Sequence, residues 1–188
     1  MKKAVFFFVP LIVGLIFQIS CLNTKNSKEI EKIDEMILVL ENMEDTLNAV
    51  DLDSVLRSYD RVATRTHGLQ TLVSQLPSSS DLKIKMKLHG DIHKIFQKYP
   101  KKHKELLKDI VERKEYLKKL KNDVDILDKD SLLTYIRFEE NEVMNLKKNY
   151  DIVYGNLVRH FALEKEVAPV INNFIDSLFQ AAKSGRKI

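Results

Sequence analysis

The chain has 188 residues and a formal charge of +4, with 44% hydrophobic and 31% charged residues. That apolar share supplies a core and excludes global disorder, while five Gly, four Pro and no Trp disfavour a loop-rich or all-β domain. One cysteine excludes an intrachain disulfide framework, and so mild a positive balance is not a nucleic-acid signature.

The chain opens with Met1-Lys2-Lys3, and Ala4 to Ile19 is apolar apart from Gln18. A helix of that length covers roughly 24 Å at ~1.5 Å per residue, short of the about 30 Å of a hydrocarbon core. Pro10 and Gly14 weaken it further. Residues 1–20 therefore read as a signal peptide. The run ends Phe17-Gln18-Ile19-Ser20-Cys21, with the single cysteine directly after a small residue. This ending resembles the lipobox of bacterial lipoproteins, and Ile19 and Ser20 match its pattern. Gln18 departs from the aliphatic or aromatic residue usual three places before the cysteine. The Lys-Lys opening, the Phe6-Phe7-Phe8 run and the Ile-Ser-Cys ending are similar to spirochaetal lipoproteins of the Borrelia type.

The resemblance implies cleavage between Ser20 and Cys21, a diacylglyceryl group on the Cys21 thiol, and a bilayer as partner. It places the protein in the cell envelope, on the surface or the periplasmic face. The alternative is ordinary secretion with Cys21 unmodified. Acylation removes an exposed thiol that is a liability in an oxidising compartment. At about 0.8 kcal/mol per buried CH₂, two or three acyl chains give a durable anchor. Residues 21–27 are polar after Leu22 and read as a short tether.

Residues 28–188 read as helices throughout. Ile33, Ile37, Leu40, Leu47 and Val50 share one face, with a break at Glu44. Asp51 or Asp53 can cap a second helix carrying Val55, Tyr59, Val62, Leu69, Val73 and Leu76. Near-equal lengths and a short link predict that these two pair antiparallel. Pro77-Ser78-Ser79-Ser80 is the clearest break. A third helix from Ser80-Asp81 carries Leu82, Met86, Ile92, Phe96 and Tyr99, and Pro100 ends it and opens a fourth. The fourth carries Leu107, Ile110, Leu117, Leu120, Val124 and Leu127. Asp128-Lys129-Asp130-Ser131 supplies caps for a fifth with Ile136, Val143, Leu146, Tyr150, Val153 and Leu157. Pro169 either kinks this helix or starts a sixth with Ile171, Phe174, Ile175, Leu178 and Phe179. The expected fold is all-α, an antiparallel bundle of five or six helices.

Charge is sorted along the chain. Residues 28–60 hold ten acids and three bases, and residues 83–121 hold fourteen bases and five acids. One reading is intramolecular, with the acidic first helix beside the basic third and fourth; such exposed pairs add only ~0–1 kcal/mol each. The other is a polyanion surface. Lys98, Lys101, Lys102 and Lys104, with His103, cluster at the expected helix junction, where they suit sulfated glycosaminoglycans or an anionic membrane face. Nucleic acid is not expected, because the block lacks the aromatic interleaving of a base-stacking platform.

Signals for chemistry are sparse. His89 and His93 are four apart on one helix face, and His103 is a conceivable third ligand. The segment His-Gly-Asp-Ile-His lacks the glutamate of a zincin, so solvated histidines beside lysines are the expectation, with no metal or cofactor. No Gly-rich phosphate loop or nucleophile elbow occurs, and the acidic run Glu139, Glu140, Glu142 reads as a wet face. The expected function is a membrane-anchored binding module for a host, protein or polyanionic ligand, not an enzyme. A periplasm-facing structural or assembly role is the alternative.

Overall fold

The computed structural model describes residues 26–74 and 81–184. The signal-peptide segment, Cys21, the expected core residue Leu76 and the Pro77–Ser80 break lie outside the described residues. The described chain is all-α, as expected, but with four helices rather than five or six. They are α1 (Ser27–Asn48), α2 (Leu52–Ser74), α3 (Asp81–Asp123) and α4 (Lys129–Lys183).

The excess came from the two prolines. Pro100 lies inside α3 and Pro169 inside α4. Proline removes one helical N–H and its ring crowds the carbonyl four residues back, at a cost of about 3 kcal/mol. Burial on both sides of each proline outweighs this. Phe96, Tyr99, His103 and Leu106 are all buried around Pro100, and Val167 and Ile171 around Pro169. Ending the helix at either point would rotate one of those sets out of the core.

The expected antiparallel pairing of α1 with α2 is also overturned. The two helices share no substantial packed interface; each packs on α3. Cross-helix contacts give the register. Asn26 Nδ2 donates to the Val124 carbonyl at 3.2 Å, Lys121 Nζ to Asp34 at 2.5 and 2.7 Å, and Lys114 pairs with Glu44. His103 Nε2 lies 3.0 Å from the Leu47 carbonyl, which can only accept, so Nε2 carries the proton. Further along, the rings of Tyr59 and His93 stack at 4.7 Å. As α1 and then α2 advance, α3 is met at steadily lower numbers. The two helices therefore follow one another down α3, antiparallel to it.

The link explains this. Ala49 keeps right-handed helical dihedrals (φ −75°, ψ −9°), and its N–H still donates to the Asp45 carbonyl. Ala49 thus does not adopt the left-handed cap that commonly ends a helix at a reversal. Asp51 then caps α2, accepting from the Ser54 N–H at 3.0 Å. At the other link Asp128 caps α4 through the Ser131 N–H at 2.9 Å. There the chain does reverse, and α3 and α4 form the most extensive pairing.

The result is a three-stranded rod: α3, α4, and α1–α2 laid end to end. With 55 residues at ~1.5 Å each, α4 spans roughly 80 Å. The core runs along its length in two clusters. The larger includes Ile33, Leu40, Leu47, Phe96, Ile110, Leu117 and Ile136. The smaller, at the far end, holds Leu69, Met86, Val167 and Ile171. Of the expected core residues, Ile37, Val50, Tyr59, Leu82, Leu107, Leu120, Leu127, Leu146, Tyr150, Phe174, Ile175 and Leu178 are only half-buried and Phe179 is exposed. Among the described residues, no helix is long and apolar enough to cross a membrane.

Candidate functional site

Because α3 continues through Pro100, the lysine cluster does not sit at a helix junction. It occupies the middle of a 43-residue helix. At about 100° per residue, Lys98, Lys101, Lys102 and Lys104 fan over roughly 160° of the outward face. All four are exposed. Tyr99, His103 and Leu106 point the other way and are buried. The amphipathic stripe that fixes α3 on α4 thus also fixes which way the lysines face.

Part of the rest of the basic block is used between helices. Lys121 and Lys114 pair with Asp34 and Glu44 of α1, so that part of the intramolecular reading holds. The Glu44 carboxylate holds the Lys114 ammonium above the usual lysine range. Arg113 donates to both Glu139 oxygens at 2.9 and 3.0 Å and to Glu142 at 2.9 Å. Lys85 meets Glu166 of α4 at 3.8 Å. Along the outer face Lys94, Lys101 and Lys108 reach only their helical neighbours Asp91, Glu105 and Glu112, at 3.6 to 3.8 Å. Pairs of that kind are worth about 0.3–0.5 kcal/mol. Lys98, Lys102 and Lys104 form no ion pair among the described residues. The cluster therefore carries net positive charge into solvent, and α1 does not neutralise it.

No protein family, curated protein or solved structure matches the chain. The site must be read from its own geometry.

The histidines do not converge. His89 is fully buried between α2 and α4, His93 stacks on Tyr59, and His103 is committed to Leu47. The expectation of solvated histidines fails for His89 and His103, which continue the core stripe between Met86 and Ile92 and between Tyr99 and Leu106. Among the described residues no three His, Cys, Asp or Glu side chains are grouped to hold a metal.

The acidic run is a wet face only in part: Glu140 and Glu142 are partly exposed, but Glu139 is not. Glu139 is 3% exposed and forms a buried ion pair with Arg113. Its spacing was the available signal: Glu139 falls three after Ile136 and four before Val143, in phase with the core. Arg113 falls likewise between Ile110 and Leu117. A cleft of about 590 Å³ opens over this pair between α3 and α4, bordered by Asp109, Tyr116, Phe138, Glu142 and Asn149. Sequence reasoning missed it because it forms only when the two helices meet.

Proposed function

We propose that the protein is a lipid-anchored rod of the bacterial cell envelope that displays the Lys98–Lys104 band to a polyanionic ligand such as a sulfated glycosaminoglycan. The exposure of four lysines over the solvent face of one helix, three of them without an ion pair among the described residues, carries this reading. A rigid helix holds these ammonium groups at fixed spacing, so an extended polyanion meets them without ordering a loop first. Attraction is long-ranged and falls off over a Debye length of about 8 Å at 0.15 M salt.

Heparin binding is expected to weaken steeply as salt rises. Substituting Lys98, Lys101, Lys102 and Lys104 together by Gln is expected to reduce it at least tenfold, with no loss of helical signal or of stability, since none of the four supports the core. Undiminished binding by the Gln variant would rule the band out as the contact.

The anchoring half of the proposal rests on Ile19-Ser20-Cys21. Asn26 lies beside Val124 and Asp125 at the α3–α4 turn, and the lysine band stands about 20 to 26 residues, or roughly 30–40 Å, along α3 from that end. Cys21→Ala is expected to yield an uncleaved or soluble protein that incorporates no labelled fatty acid. Normal labelling of that variant would refute the anchor. Digestion of the rod by protease on intact cells would favour surface display over the periplasmic, structural alternative.

A further inference from the structure

A polar layer separates the two apolar clusters of the rod. On one side lie Ile92 and Phe96, on the other Leu69, Met86, Val167 and Ile171. Within the layer Glu164 of α4 is buried; it accepts from Arg61 Nη2 at 3.5 Å and lies 3.7 Å from Arg65 Nη1. Arg61 also donates to the buried Ser58 hydroxyl at 2.7 Å. His89 of α3 is 0% exposed, and neither ring nitrogen forms a hydrogen bond among the described residues. Arg65 Nη1 is buried and pairs with Glu164 by charge alone, without a hydrogen bond among the described residues. The charges that bear on His89 are Arg65 from α2 and His93 from α3; Arg61 and Arg65 in turn meet Glu164 of α4. Lys85 and Glu166 pair with each other, and Glu166 is largely exposed. The Glu164 carboxylate is already met by two arginines, the mostly buried Arg65 and the half-exposed Arg61.

We infer that this layer is a pH-operated latch: with His89 neutral it seats α2 on α3 and α4, and protonation of His89 releases α2 and the distal cluster. An imidazolium here would be a buried cation set beside the Arg65 guanidinium, in a place water does not reach. α2 is the element that gives way. It ends at the distal tip, packs mainly on α3, and has no substantial packed interface with α4 among the described residues. α1, by contrast, packs on both α3 and α4.

The sign follows from the titration. Burial first, and then the positive charge of Arg65, hold the His89 pKa down to about 4; the Val62 backbone, near the ring without completing a hydrogen bond, acts in the opposite sense. Once α2 opens, the imidazole returns to its ordinary value near 6.5. The open form therefore binds the extra proton between pH 6.5 and 4. The latch is fully closed above that window and weakens as pH falls through it. From pH 7 to pH 5 the open-to-closed ratio of α2 rises roughly twentyfold.

The test is residue-resolved hydrogen exchange on the full chain at pH 7 and pH 5, corrected for intrinsic rates. Amides of α2 near Val62 are expected to lose protection by roughly twentyfold, and amides of α1 near Leu40 to keep theirs. His89→Leu should abolish the difference, and His89→Gln, which stays neutral at both pH values, serves if the leucine variant does not fold. Direct NMR titration of the His89 ring should show a midpoint below pH 5. A midpoint near 6.5, equal protection of α2 at both pH values, or the same loss in the His89 variants would overturn the latch.

Discussion

Arg113→Ala is expected to lower the unfolding free energy by about 3 kcal/mol, a larger loss than any surface charge on the rod can produce. The substitution leaves the Glu139 carboxylate buried on α4 without its partner, and breaking one half of a buried ion pair costs about 3–5 kcal/mol. The lower end applies because the Arg113 side chain is partly open to the cleft above it, where water can enter. Glu142 also bonds Arg113, but its side chain is 36% exposed, so Glu142→Ala should cost no more than ~1 kcal/mol. The decisive comparison is the double variant Arg113→Met with Glu139→Leu. Replacing both partners by apolar side chains of similar volume removes the desolvation cost with the pair, and its stability should lie within ~1 kcal/mol of the parent or above it. Urea unfolding of the four proteins measures all of this. If Arg113→Ala loses less than ~1 kcal/mol, the pair is solvated and Glu139 is not the core residue described above.

The same pair shows how far the sequence could be read. Helical spacing identified the class and most of the buried faces: Ile33, Leu40, Val55, Val62, Ile92, Phe96, Ile110, Leu117, Ile136 and Val153 are all in the core. The spacing was legible because each apolar side chain repeats at three or four residues, whatever its tertiary partner. It failed where the core position is polar. His89, His103, Arg113, Glu139 and Glu164 continue that rhythm, yet a reading that counts only apolar residues passes over them. The helix count failed for a different reason. A proline's local cost is visible in the sequence, but the burial on either side that outweighs it depends on α4 and α1 being in place. Likewise the link at residues 49–51 is short enough for a reversal, and only the right-handed dihedrals of Ala49 and the complementary surface of α3 decide that α1 and α2 run on instead. Of the lysine band, exposure was legible from its phase opposite Tyr99 and Leu106. Its isolation from α1 was not, since the pairings of Lys114 and Lys121 depend on register.

Phe96→Ala should be the most damaging apolar substitution in the rod, at about 3–5 kcal/mol. Phe96 is fully buried at the level where α2 takes over from α1 along α3, and its ring lies 4.9 Å from that of Phe161 on α4. Long helices flank the site on each side, so collapse into the vacated volume is limited and most of the cavity cost is retained. Leu40→Ala and Leu117→Ala, both fully buried in the same cluster, should cost about 2–5 kcal/mol each. Phe174→Ala should fall well below Phe96→Ala although the same atoms are removed. Phe174 is only half-buried and borders the small distal cluster, so less of its surface returns to water. The position of the residue along the rod, not its type, should therefore set the order Phe96 above Phe174. Denaturant midpoints for the four variants decide the matter. Equal losses at Phe96 and Phe174 would mean that the two clusters are buried alike and unfold as one, and the division of the core by the His89 layer would then have no energetic consequence.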